Sequence, residues 1–123
     1  MAAIRSKDTG PEMIVRRLVH SMGYRYSLHR SDLPGKPDLV LTTRRKVIFV
    51  HGCFWHYHGC AFSHIPKSNT GYWRPKLKRN RARDIEHLQE LRAHGWRCLV
   101  LWECELEKSE QLRKRLRKFL RRA

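Results

Sequence analysis

The chain has 123 residues, 41% of them hydrophobic and 31% charged, with a formal net charge of +16. That length makes one domain, 1–123, able to bury roughly two thirds of its unfolded surface around a real core. A charge so large repels itself unless a polyanion offsets it, which points to nucleic acid over a membrane surface or a merely basic soluble protein; with no run of ~18 apolar residues and no charged-then-apolar leader, the chain is expected to be soluble and cytoplasmic.

The segment Met1 to Lys7 is polar apart from Met1 and Ile4. Thr9 with Glu12 three residues on has the form of a capping box, and Pro11 fits a first helical turn. Ile14, Val15, Leu18, Val19 and Met22 follow at helical spacing and Gly23 stops the run, so the pattern predicts a helix over 10–22. Tyr24, Tyr26 and Leu28 alternate as in a strand. Leu33-Pro34-Gly35-Lys36-Pro37 is a turn, after which Asp38 opens the apolar run Leu39-Val40-Leu41. Thr42 to Lys46 is a polar connection to a second apolar run, Val47-Ile48-Phe49-Val50. Two short strands joined by about five residues predict an antiparallel hairpin. Its pairing brings Asp38, at the start of one strand, beside His51, at the end of the other. A carboxylate there is a hard oxygen ligand of the kind magnesium takes; the alternative is a solvated residue at a strand start.

His51-Gly52-Cys53-Phe54-Trp55-His56-Tyr57-His58-Gly59-Cys60 packs three histidines, two cysteines and three aromatics into ten residues. Thiolate and imidazole together suit zinc. A structural zinc site closes at four ligands, so some of these histidines serve another purpose. The four cysteines are Cys53, Cys60, Cys98 and Cys104. With histidines crowding the first pair, metal is favoured over disulfide.

After a loop from Ala61 to Gly71, a long helix is predicted over 75–94, with Leu77, Ile85, Leu88 and Leu91 on its buried side and Gly95 at its end. Its first half is strongly basic, and Asn80 and Asp84, four apart, share a face. Asp84 reads equally as an ion-pair partner among those cations. Trp96 to Trp102 predicts a buried strand. Were the strand to run through both, Cys98 and Cys104 would lie ~20 Å apart and could not share a zinc. Cys104, at the strand's end, is therefore the candidate ligand, and Cys98 the packing residue. A last helix over 109–121 carries the stripe Leu112, Leu116, Phe119 and Leu120, its remaining surface solvated or phosphate-facing. The order helix, three strands, helix, strand, helix, with a crossover between the last two strands, predicts a mixed α/β sheet flanked by helices.

The residues Met1-Ala2-Ala3-Ile4, Asp8-Thr9 with Glu12, Leu33-Pro34-Gly35-Lys36-Pro37-Asp38, Val47 to His56, Asn80 with Asp84, and Trp102-Glu103-Cys104 resemble, in order and over nearly the whole chain, the very-short-patch (Vsr-type) mismatch repair endonucleases. The pairing of the Pro34–Asp38 and His51–His56 segments is highly specific. The resemblance implies a restriction-endonuclease-like fold with a structural zinc site, and Mg²⁺-dependent nicking of double-stranded DNA 5′ of the thymine at a T:G mismatch. It implies that Asp38 binds magnesium, that His51 and His56 flank the scissile phosphate, that Glu12 supports the site through water, and that Asn80 and Asp84 order it. It further implies zinc on Cys53, His58, Cys60 and Cys104, and entry of Met1, Ile4, Phe54 and Trp55 into the base stack. The expected protein is a monomer, with a repair polymerase and ligase acting downstream.

Restriction-type nucleases usually carry a carboxylate, a spacer and a lysine on the second strand; here that place reads Phe49-Val50-His51. The Vsr-type family shares the departure and uses histidine, while Val50 retains a backbone carbonyl to offer magnesium. A wedge of aromatic or Met side chains costs a few kcal/mol of unstacking, less at a mismatch, and so favours damaged sites; packing over the zinc is the alternative for Phe54 and Trp55. Two further functions compete: a nuclease of the same fold serving a restriction or phage system, and a non-catalytic, zinc-stabilised nucleic-acid-binding module.

Overall fold

The computed structural model describes residues 10–53 and 70–121. Helix α1 (Gly10–Ser21) leads into strands β1 (Ser27–Leu28), β2 (Leu39–Leu41) and β3 (Lys46–His51), helix α2 (Thr70–Ala93), strand β4 (Arg97–Trp102) and helix α3 (Ser109–Arg121). The sheet order is β1-β2-β3-β4. β1 and β3 run antiparallel to β2, and α2 makes the crossover that leaves β4 parallel to β3.

Of the predicted stripe, α1 buries Val15 and Val19 and half-buries Leu18, with Met22 half-buried just past its end, while Ile14 is 42% exposed. It ends where Gly23 turns to φ +87° and the amides of Met22, Gly23 and Tyr24 reach back to carbonyls of Leu18, His20 and Val19. The strand expected from Tyr24 is shorter than its alternation suggests. Tyr24 and Tyr26 pack on the core, but only Ser27 and Leu28 pair with β2. His29 then takes φ +49°, which ends the extended run, and the edge strand stays short.

The hairpin register is Leu39↔Ile48, Val40↔Val47 and Leu41↔Lys46. The predicted polar connection is a 3-10 turn at Thr42–Arg44 closed by Arg45 at φ +53°. Lys46 belongs to the strand and is only 1% exposed. Its Nζ donates to the carbonyls of Phe119 (2.7 Å) and Leu120 (2.9 Å), answering the unsatisfied C-terminus of α3.

α2 begins at Thr70, with Pro75 inside it rather than at its start. Ile85 is 47% exposed, against the buried position expected. At about 100° per residue it sits about 80° round the helix from Leu77, whereas Leu88 and Leu91 stay within about 40°. Asn80 and Asp84 fall on the inward side with Leu77 and Leu91 and are half-buried.

The sheet is covered on both faces, which explains the near-continuous apolar runs of β2 and β3. Leu39, Leu41, Ile48 and Leu101 pack with Val15 and Val19 of α1 and Leu112, Leu116 and Leu120 of α3. Val40, Val47 and Phe49 pack on the other face with Leu91 of α2 and with Trp96. Among the described residues, no helix is long and apolar enough to cross a membrane.

Candidate active site

The turn before β2 sets the site. The Lys36 amide donates to the Leu33 carbonyl at 3.1 Å, with Pro34 and Gly35 (φ +76°) between them, the signature of a type II turn. α2 brings His87 against this turn, so closely that a Cβ on Gly35 would stand 3.0 Å from the Cβ of His87. Asp38 leaves the turn at the point where the ladder ends. Beyond Leu39↔Ile48 the next amide of β3 on that edge is Val50's, and it donates to Oδ2 of Asp38 at 2.6 Å. A side-chain oxygen thus takes the place of a ladder carbonyl.

Glu12, in the first turn of α1, is 2% exposed. Its carboxylate pairs with Arg16 one turn on and lies 3.0 Å from Nε2 of His29. The His29 backbone amide donates to the Asp38 carbonyl at 3.4 Å, carrying the β1–β2 pairing one step further. Donor atoms of Glu12, His29 and Asp38 all lie within 4.8 Å of one another. Burial pushes the Asp38 carboxyl up to about 7; the Val50 amide opposes this, Glu12 adds to it through a hydrogen bond and its charge, and Arg16 opposes it weakly. Two carboxylates and an imidazole, with one acid held short of full ionisation by burial and its neighbour, form a site that a divalent cation would relieve.

His51 ends β3, 7% exposed, its ring 5.4 Å from that of Phe49 and 5.2 Å, edge-on, from that of Trp102. The hairpin brings Asp38 to Val50, one residue short of His51, beside which the predicted pairing sets it. Continued one step, the register sets Asp38 opposite Phe49, on the face His51 shares, yet its carboxylate meets Glu12 of α1 while the His51 ring meets Phe49 and Trp102.

The parallel register pairs His51 with Trp102, so Cys53 and Cys104, each two residues further on, leave the sheet at the same end. Cys53 is buried and Cys104 half-buried in the 3-10 turn Glu103–Glu107. This common exit fits a shared soft metal. Cys98 lies within β4 and packs beside Trp96 and Val100. Met1, Ile4, Phe54, Trp55, His56, His58 and Cys60 lie outside the described residues.

His29 and Arg16 were not singled out by the sequence. Arg16 was legible as a cation four residues after Glu12. His29 was not, because its position depends on which residues of β1 and β2 pair.

The sequence family described as DNA mismatch endonuclease Vsr matches residues 1–62. The chain is 55% identical to the type II nicking enzyme V.XorIIP of Xanthomonas oryzae pv. oryzae (strain KACC10331 / KXO85), over 98% of this chain and 88% of that one. It is 44% identical to the type II nicking enzyme V.NmeAIP of Neisseria meningitidis serogroup A / serotype 4A (strain DSM 15465 / Z2491), over 98% and 86%. With the DNA mismatch endonuclease Vsr of Escherichia coli (strain K12) identity is 39%, over 91% and 72%. Among solved structures, the catalytic domain of the homing endonuclease I-Bth0305I superposes with a TM-score of 0.63 at 21% identity, over 91% of this chain and 94% of that one, a likeness of fold.

Proposed function

The chain belongs to the Vsr family of DNA mismatch endonucleases and is a DNA endonuclease, and from that premise we propose that it nicks duplex DNA 5′ of the thymine at a T:G mismatch, with a divalent metal, to open very-short-patch repair. The observation that carries this reading is the Asp38 carboxylate, pinned by the Val50 amide at the end of β3 and backed by buried Glu12. A non-catalytic binding module would need neither acid there, and family membership sets that alternative aside.

In this reading Asp38 holds Mg²⁺, and the Val50 carbonyl joins it, since in an extended strand a residue's N–H and C=O point to the same side. Bound magnesium supplies charge stabilisation at the phosphoryl oxygens and lowers the pKa of its water. Glu12 supports the site from the first turn of α1. His51 and His56 flank the scissile phosphate, where an imidazole moves a proton at neutral pH. Asn80 and Asp84, one turn apart on the inward side of α2, keep the site ordered. Cys53, His58, Cys60 and Cys104 hold a structural zinc that fixes the connection leaving β3. Phe54 and Trp55, with Met1 and Ile4, wedge the stack at the mismatch, and the +16 charge draws the duplex in. The protein acts as a monomer in the cytoplasm, ahead of a repair polymerase and ligase.

The names of the Xanthomonas and Neisseria relatives favour a second reading, a nicking enzyme attached to a restriction system. One assay separates these. T:G and matched duplexes of one sequence are incubated with Mg²⁺ and either wild type or Asp38→Ala. Nicking of the T:G strand by wild type alone supports repair; equal nicking of matched duplex defeats mismatch specificity. Equal activity of Asp38→Ala removes Asp38 from the site.

A further inference from the structure

We infer that His29 is a ligand of the same divalent ion that Asp38 binds, and that the resulting oxygen–nitrogen donor set gives this nuclease a preference for Mn²⁺ over Mg²⁺. The inference rests on the metal-binding role of Asp38 proposed above. Three separate elements deliver the donors: Glu12 from the first turn of α1, His29 from just past β1 and Asp38 from just before β2. All three donor atoms fall within 4.8 Å of one another.

The distances suit one ion. Metal–donor bonds of about 2.1 Å at right angles place neighbouring donors about 3.0 Å apart. His29 Nε2 and Glu12 Oε2 are 3.0 Å apart. Those same two atoms already share a cation: Arg16 Nη2 pairs with Glu12 Oε2 and stands 3.1 Å from His29 Nε2. A guanidinium only donates and a carboxylate only accepts, so the one Nε2 serves either Arg16 with its lone pair or Glu12 with its N–H, not both. In the tautomer that turns this lone pair outward, a cation flanked by a carboxylate oxygen and an imidazole is the arrangement a metal would share with Asp38. Arg16 is thus a stand-in for the ion, and the two compete for Glu12 and His29.

The nitrogen sets the choice of metal. Mg²⁺ takes oxygen ligands and keeps its water, whereas first-row transition ions accept imidazole and follow a rising order of affinity from Mn²⁺ onward.

The test is Mn²⁺ alone, titrated into the full chain and followed by electron paramagnetic resonance, with electron spin-echo modulation to detect a directly bound nitrogen. Wild type is expected to show ¹⁴N coupling, replaced by ¹⁵N coupling when histidine is isotopically labelled, and to hold Mn²⁺ more tightly than Mg²⁺ in competition. His29→Gln should lose that coupling and weaken Mn²⁺ binding by at least the ~10-fold that losing even an outer partner costs. Arg16→Gln should tighten Mn²⁺ binding by removing the competing cation. Wild-type Mn²⁺ without nitrogen coupling, or coupling that survives in His29→Gln, overturns the role of His29; the reading of Asp38 then still stands if Asp38→Ala loses Mn²⁺. Unchanged Mn²⁺ binding in Asp38→Ala overturns both. The labelled wild-type spectrum shows whether any histidine binds the ion, and its loss in His29→Gln, with His51 and His56 intact, assigns the coupling to His29.

Discussion

The amide of Val50 donates to the carboxylate of Asp38 at 2.6 Å, so the acid that opens β2 closes the hydrogen-bond ladder at the far end of β3. One side chain therefore completes the sheet and forms part of the candidate site. Its charge is expensive where it sits, because burial and Glu12 favour the protonated form more than the Val50 amide and Arg16 favour the charged one.

That imbalance predicts a pH dependence of stability in metal-free protein. The Asp38 carboxyl rises from 3.8 to about 7 on folding. In that window the folded chain holds a proton that the unfolded chain has released. The associated stability is present below pH ~4 and is lost as pH rises through ~7. Asp38→Asn, which keeps an oxygen for the Val50 amide, should therefore gain thermal stability relative to wild type between pH 5 and pH 8. A Tm difference that stays constant over that range would contradict the assigned environment.

Gly35 carries a second prediction. At φ +76° and with His87 behind it, the position has neither the backbone freedom nor the room for a methyl group. Gly35→Ala should cost on the order of 1–3 kcal/mol in urea unfolding. Because the same turn aims Asp38, nicking should fall further than the loss of folded protein accounts for. Full activity of the remaining folded fraction would separate the turn from the site.

Lys46 offers a contrast at the opposite end of β3. Its Nζ serves the carbonyls of Phe119 and Leu120. Lys46→Met should destabilise by ~1–3 kcal/mol, since buried acceptors lose their donor. Nicking at temperatures where the variant stays folded should match wild type. An unchanged or raised denaturation midpoint would show that burying the ammonium cancels what it donates.

For the proposed zinc, elemental analysis of purified protein should find about one zinc per chain, as a single four-ligand structural site requires. Cys53→Ser and Cys104→Ser should each abolish it and lower Tm, whereas Cys98→Ser, within β4, should retain it. Zinc bound at wild-type level in Cys104→Ser would remove that residue from the set.

Local pattern was enough for much of this. The 3.6-residue stripe of α1 and α3, the paired apolar runs of β2 and β3, and the prolines and glycine before Asp38 are short-range signals, and helices, hairpin and turn followed from them. The candidates Asp38, His51 and Cys53 stood out because a carboxylate, an imidazole and a thiol beside apolar runs are chemically conspicuous, whereas Glu12 by itself reads as a helix-cap partner and only the family resemblance marks it out. Three-dimensional pairing decided what one-dimensional spacing leaves open. The β1–β2 register set His29 beside Glu12, and the parallel β3–β4 register set His51 against Trp102 and sent Cys53 and Cys104 out of the same end of the sheet. Lys46 falls in the polar connection on local pattern because its partners, the carbonyls at the end of α3, are more than seventy residues away in the chain. Spacing along a chain constrains which residues share a face of one element; which faces meet is set by hydrogen-bond register and by packing between elements that no local window contains.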